Sequence, residues 1–134
     1  MNERIKLTDT TMDVFMKLSD GNPGGLTVCM QIMGKGAKID PDAASPLLTL
    51  LSFDTLGIYG SRIWMLYKDV CKQDLTATLG MLRGWQLGFI TKQQLIHAID
   101  NYGDGLDVEA VLAQVRERLP DFGRTEDTEA AETG

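Results

Sequence analysis

The fold class is decided by residues 22–33, which read NPGGLTVCMQIM. Asn22 is a preferred helix-capping residue, and Pro23 follows at the first helical position, where the missing N–H of proline does no harm. The remainder is apolar nearly all round, with Thr27 and Gln31 as the interruptions. A helix with that pattern is buried on most of its sides. The stretch therefore predicts a central helix, which we expect to end at Met33 before a flexible loop over 34–38.

Similar start signals recur along the chain and predict about six to seven short helices. Ser45-Pro46 repeats the combination of a cap and a proline, before a second helix that is apolar on most faces. Residues 61–71 carry apolar side chains at i, i+3, i+4, i+7 and i+8, a helical stripe. Further caps precede three later helices: Asp74, Thr91 and Asp107. Strand signals are poor, so we expect an all-α, compact bundle in a single domain over residues 1–120.

Composition narrows the class of protein. The chain has 134 residues, of which 43% are hydrophobic and 24% are charged, which is typical of one globular domain. No apolar run is as long as a membrane span, and the N-terminus lacks the apolar stretch of a signal peptide. Two cysteines are too few for a disulfide-stapled scaffold. We therefore expect no membrane association and a cytoplasmic location.

The net charge of −6 is unevenly distributed. Residues 121–134 hold five acids and one base, lack apolar periodicity, and are predicted to form a disordered acidic tail. Residues 57–92 hold five bases against two acids and are therefore +3. An acidic protein is not expected to bind nucleic acid in general, but a local basic segment leaves room for a small anionic ligand. The alternative is that these charges lie on solvated helix faces.

Two largely apolar helices are unusual in one small domain, because a small bundle offers few positions buried on all sides. One of them can be central. The second, over 46–53, suggests a surface that another copy of the chain covers, and so predicts a homo-oligomer. The alternative is that both helices pack centrally in a monomer.

Groups suited to catalysis are scarce. His97 is the only histidine, and neither Cys29 nor Cys71 lies at metal-ligand spacing from it. Both cysteines fall on apolar helix faces, which is typical of small core residues. Residues 100–111 fail the calcium-loop template, because Tyr102 and Val111 occupy ligand positions. We therefore expect a protein that is not an enzyme and that needs no cofactor or metal.

Two features are candidates for ligand binding. The first is Asn22 with Gly24 and Gly25, because glycines at a helix N-terminus expose backbone N–H groups to an anion. The second is the stretch 57–68. Its aromatic rings can stack on a nucleobase, and the positively charged side chains between them can hold phosphates. Its candidate residues are Tyr59, Ser61, Arg62, Trp64, Tyr67 and Lys68. The alternatives are a simply capped helix start and a set of core aromatics.

The stretch 57–68, together with Asn22-Pro23-Gly24 and Gly88-Phe89-Ile90, resembles small proteins encoded by bacteriophages and prophages of gut-type bacteria. The resemblance covers most of residues 8–120. It implies an accessory factor in a bacterial host cell. One class of such factors sequesters the nucleotide second messengers of bacterial immunity, in pockets formed between the subunits of small homo-oligomers.

Four functions therefore remain open, and two of them lead; behind these stand a structural or regulatory phage protein without a small ligand and, last, an enzyme with a site assembled from His97 and scattered acids. The first is a phage-encoded, non-enzymatic sponge that holds an anionic nucleotide signal intact. The second is an inhibitor or adaptor that binds a host protein, with the acidic tail and the surplus apolar helix as interaction surfaces.

Overall fold

The computed structural model of the chain describes residues 9–43 and 45–123, and over these residues it contains seven helices and no strand. The helices are α1 (Asp9–Ser19), α2 (Pro23–Ile39), α3 (Pro46–Leu56), α4 (Ser61–Met65), α5 (Leu75–Gln86), α6 (Lys92–Asp100) and α7 (Val108–Arg118). The expectation of an all-α bundle of six to seven short helices is confirmed.

Side-chain caps begin the helices where the sequence predicts them. The Asn22 side chain accepts a hydrogen bond from the backbone N–H of Gly25 at 3.0 Å, and Ser45 accepts one from Leu48 at 3.2 Å. Thr91 forms the reciprocal capping box with Gln94 at the start of α6. Asp74 and Asp107 cap α5 and α7 with a single bond each, accepted from the N–H of Ala77 and of Ala110. These bonds satisfy backbone N–H groups that a helix start otherwise leaves unpaired.

The central helix α2 is longer than predicted. It packs against α1, α3, α4 and α5, and it continues through residues 34–38, where a flexible loop was expected. The expected loop was wrong because tertiary packing outweighs the weak helix propensity of glycine. Gly36 is buried against Ile32 and Leu79, and Ile39 at the end of the helix is buried as well.

The predicted helix over 61–71 changes its hydrogen-bonding pattern halfway. Residues Leu66–Val70 form a π-helical turn that continues α4 directly. The N–H of Cys71 donates to the carbonyl of Leu66 at 2.9 Å, and that of Gln73 donates to Tyr67 at 2.7 Å. Lys72 and Gln73 then adopt left-handed conformations, with φ of 55° and 63°. π-Helical turns are rare and often lie at functional sites, and Tyr67 belongs to this one.

The packed domain extends beyond residue 120, where the tail was expected to begin. Phe122 is a member of the hydrophobic core, and the backbone N–H of Gly123 donates to Ile39 at 2.9 Å. Phe122 continues the apolar pattern after Pro120, so burial of its ring holds these three residues on the domain. The remainder of the predicted acidic tail, residues 124–134, lies outside the described residues.

Exposed apolar side chains are concentrated on the first three helices. Among the described residues, the large aliphatic side chains that are exposed are Met12, Met16, Met30, Leu48 and Leu51. Leu48 and Leu51 lie on α3, the helix whose apolar surface suggested a covered face, and are 49% and 37% exposed. Among the described residues, no helix combines the length and apolarity needed to cross a membrane.

Candidate functional site

The two sequence features proposed for binding meet along the contact between α2 and α4. A methyl group built on Gly24 would lie 2.5 Å from Cδ2 of Trp64, so the indole ring rests directly on the glycine. One position further along, a methyl group on Gly25 would lie 2.7 Å from the carbonyl oxygen of Gly60. The glycines therefore allow close approach of the two helices, a role that only a residue without Cβ can fill.

This packing occupies the predicted anion site. The N–H of Gly25 is bonded to the Asn22 side chain, and the surface of Gly24 is covered by Trp64. The helix start over residues 22–25 thus resembles the simple capped start that the sequence left open as its alternative.

Arg62, predicted to bind phosphate, forms an ion pair with α6. Its Nε and one terminal nitrogen donate to the two carboxylate oxygens of Asp100, at 2.8 and 2.7 Å. The guanidinium holds the pKa of Asp100 below its usual value, chiefly through these hydrogen bonds. Ser61, at the first position of α4, is exposed. A phosphate at Arg62 would have to displace the carboxylate of Asp100.

Tyr59 is turned toward α1 and α3. Its hydroxyl donates a short hydrogen bond to the carboxylate of Asp54, which also pairs with Lys17 at 3.2 Å. The hydrogen bond from Tyr59 lowers the pKa of Asp54 and raises that of the Tyr59 hydroxyl. The ammonium of Lys17 lies 6.0 Å from the centre of the tyrosine ring. Tyr59 therefore joins the contact between α1 and α3 through Asp54.

Trp64 and Tyr67 form the aromatic pair that the sequence suggested. Their ring centres are 5.8 Å apart and the planes are tilted by 37°. Both rings are half-buried against the core, while Lys68 beside them is exposed and forms no ion pair with a described residue. One of the nine predicted site residues, Tyr67, lines a sizeable groove.

That groove lies between α2 and the segment that follows the π-helical turn, and we call it the Tyr67 groove. Its volume is about 520 Å³, within the size range of small-molecule sites. It is lined by Gln31, Lys35, Ile39, Tyr67, Gln73, Asp74, Leu75 and Thr76. The π-helical turn shapes this wall, because it ends in the hydrogen bond between Gln73 and Tyr67.

The polar groups of the Tyr67 groove are unequally satisfied. The buried side-chain oxygen of Gln31 has no hydrogen-bond partner. Lys35 is exposed and is paired with no carboxylate of a described residue. Asp74, in contrast, accepts a hydrogen bond from the N–H of Ala77 as the cap of α5. The residues that line the groove thus include one unused acceptor, which is shielded from solvent until the Gln31 side chain turns, and one unpaired ammonium.

Gln31 and Lys35 were missed as site residues by sequence reasoning. Gln31 did carry a signal, because it interrupts an otherwise apolar helix. Lys35 carried none, because residues 34–38 were expected to form a loop. Placing it one turn after Gln31 on the same helix face requires the extended α2.

Side chains suited to catalysis are dispersed or unreactive. Burial raises the pKa of both thiols, Cys29 and Cys71, to about 12, which keeps them protonated, and their expected place in the core is confirmed. The exposed His97 has Nε2 3.7 Å from the carboxylate of Asp104. In the part of the chain that the structure describes, no three residues with metal-ligating side chains are grouped together.

Comparison of the chain with protein-family models, with curated proteins and with solved structures found no match in any of the three. The resemblance to phage-encoded proteins therefore stays a prediction from the residues, and the site has to be interpreted from its own chemistry.

Proposed function

We propose that this protein is a non-enzymatic binding protein for a small anionic nucleotide, and that the ligand occupies the Tyr67 groove. The single observation that carries the proposal is the buried, unpartnered oxygen of Gln31 in a groove that also presents Tyr67 and Lys35. The site differs from the one expected at Gly24 and Arg62, whose groups are engaged within the protein.

Each of the three groups matches one part of a nucleotide. The Gln31 oxygen accepts a hydrogen bond from an exocyclic amino group of a base. The Tyr67 ring offers an aromatic surface to the base, an interaction worth ~1–3 kcal/mol in nucleic-acid complexes. Lys35 supplies a positive charge for a phosphate. Sequestration of an immune second messenger is a further proposal that rests on the phage resemblance alone.

The test is native mass spectrometry with a panel of cyclic nucleotides and ADP-ribose derivatives, followed by calorimetric titration of any ligand that binds. It reports subunit number and intact bound ligand together. We expect Lys35→Glu and Tyr67→Leu each to weaken binding by about tenfold, equivalent to ~1.4 kcal/mol. The matched control is Lys92→Glu, which reverses an exposed lysine on α6.

Gln31→Leu separates a ligand contact from a structural one. Replacing an unpaired buried oxygen by an apolar group removes a desolvation cost, so the free protein is expected to be as stable as the wild type or more stable. The same change removes the acceptor and should abolish discrimination between amino and oxo bases. Failure of the whole panel to bind, or equal binding by the wild type, Lys35→Glu and Tyr67→Leu, would contradict the proposal.

Binding of another protein is the second candidate, and the exposed apolar side chains of α1–α3 favour it. Methionine side chains adapt well to varied partner surfaces, and three of these exposed residues are methionines: Met12, Met16 and Met30. The expected homo-oligomer would use the same region. Its test is light scattering during gel filtration of Leu51→Lys beside the wild type. A fall in oligomer mass would support self-association through α3, and identical masses would argue against it.

A further inference from the structure

A small cavity lies beside the C-terminal end of α2 and shares no lining residue with the Tyr67 groove. It is bounded by the α2–α3 connection, α3 and α5, and we call it the Asp40 cavity after the acid that lines it. Its volume is about 170 Å³, and its apolar wall is formed by Leu48, Leu79 and Leu82. Because one water occupies ~30 Å³ of the liquid, the cavity exceeds a single water site several-fold.

The carboxylate of Asp40 lacks part of its hydrogen bonding. The residue is 3% exposed, and its Oδ2 pairs with Nε of Arg83 at 2.7 Å. Its other carboxylate oxygen, Oδ1, has no hydrogen-bond partner. Burial raises the pKa of Asp40, against the opposing charge of Arg83 and backbone N–H groups of the following turn. An unpaired buried carboxylate oxygen costs free energy until a donor reaches it.

The opposite side of the cavity is only partly paired, because Nε of Arg83 lies 2.7 Å from Oδ2 of Asp40 but is not aligned for a hydrogen bond. A terminal nitrogen of Arg83 donates to Gln86 at 2.8 Å, and the Gln86 amide donates to the hydroxyl of Ser52 at 2.7 Å. With Asp42 also on the cavity wall, two carboxylates face one guanidinium. The missing partner of Asp40 is therefore a hydrogen-bond donor, and the local charge favours a positive one.

We propose that the Asp40 cavity binds a primary alkylammonium group, with the nitrogen donating to Oδ1 of Asp40 and the aliphatic stem lying along Leu48, Leu79 and Leu82. An ammonium is compact, carries three donors, and its methylene chain gains by contact with leucine side chains. Leu48 is 49% exposed, which allows the stem to continue to the surface. The site is independent of the proposed nucleotide site.

Entry requires a small adjustment. Oδ1 is shielded from solvent, so the neighbouring Arg83 side chain, which is 20% exposed, has to shift outward, and its hydrogen bond to Gln86 opposes that shift. Binding should therefore shift the NMR resonances of the Arg83 guanidinium as well as those of the Asp40 carboxylate.

The experiment is an NMR titration of the full chain with n-butylammonium chloride, with 1-pentanol as the neutral probe of similar shape. We expect saturable shifts of the Asp40 ¹³Cγ and Arg83 Nε resonances with n-butylammonium. Binding of 1-pentanol should be at least about tenfold weaker, because it lacks the charge. Shifts that do not saturate, or equal affinity for the two probes, would overturn the proposal.

Asp40→Asn removes the charge and should reduce affinity for n-butylammonium at least about tenfold. Asp13→Asn, at an exposed acid of α1, is the matched control and should bind as the wild type does. If Asp40→Asn does not fold, the carboxyl shift in the wild-type chain decides the matter. A third probe, Nα-acetyl-lysine methylamide, shows whether the natural ammonium group belongs to a protein lysine or to a free amine. Affinity equal to that of n-butylammonium indicates a protein lysine, and at least tenfold weaker binding indicates a free amine.

Discussion

Replacing Gly24 by alanine tests the contact on which the α2–α4 arrangement depends. Gly24 lies in the first turn of α2, where alanine is compatible with the backbone. The added methyl group would be 2.5, 2.7 and 2.9 Å from three atoms of the Trp64 ring. Carbon atoms in contact are separated by ~3.5–4.0 Å. The whole indole ring must therefore move about 1 Å away from the helix start. That movement disturbs Tyr67, whose ring packs beside it.

The expected cost follows from two opposing effects. Overpacking of this kind destabilises a protein by ~1–3 kcal/mol. Alanine recovers up to ~1 kcal/mol through its higher helix propensity and the smaller entropy of its unfolded chain. We expect a net loss of ~1–2 kcal/mol in the free energy of unfolding, and a fall in Tm of roughly 3–10 °C for a domain of this length.

Urea denaturation followed by tryptophan fluorescence measures the effect, with Gly34→Ala as the matched control. Gly34 lies on the same helix, and a methyl group there meets nothing within 4 Å. That variant should be more stable than the wild type by ~0.4–1 kcal/mol. Trp64→Leu combined with Gly24→Ala should recover part of the loss, which a double-mutant cycle detects. If Gly24→Ala were as stable as Gly34→Ala, the packing of Trp64 on the helix start would be refuted.

Three further predictions concern the core. Arg83→Leu leaves the Asp40 carboxylate buried without its ion pair and should cost ~2–4 kcal/mol at pH 7. Because burial raises the pKa of Asp40, protonation as the pH falls through that raised pKa should relieve part of the loss, and urea titrations at pH 7 and pH 4 measure the difference. Phe122→Ala should lower the free energy of unfolding by ~3–5 kcal/mol in calorimetry, whereas a truly disordered tail would give no change. With a pKa of about 12, the thiols of Cys29 and Cys71 should react with a disulfide reagent at pH 8 at the rate of unfolding, and faster labelling would show that they are accessible.

The candidate site shows where local reasoning succeeds. The aromatic stretch 57–68 and the glycines of residues 22–25 were selected from the sequence, and the structure brings them together. Their roles were not readable from the residue types. Arg62 is chemically suited to a phosphate, yet Asp100, 38 positions away in the chain, takes its donors. No local pattern reports a partner at that separation.

The Tyr67 groove shows where local reasoning fails. It depends on a π-helical turn over residues 66–70, and the apolar spacing of the sequence fits an ordinary helix equally well. It also depends on the continuation of α2 to Ile39, against the preference of two glycines. Gln31 becomes a candidate ligand only once its neighbours across the groove are known.

By itself, the sequence determined the all-α class and the helix starts, because a capping side chain bonds to backbone N–H groups only two or three residues away. It also determined which face of each helix is apolar, because the spacing of apolar residues along the chain fixes that face. Only the tertiary structure decided where α2 ends, which glycines admit Trp64, and which of the polar groups are already paired. These outcomes depend on contacts between residues far apart in the chain, whose packing energies exceed the fraction of a kcal/mol by which local preferences differ.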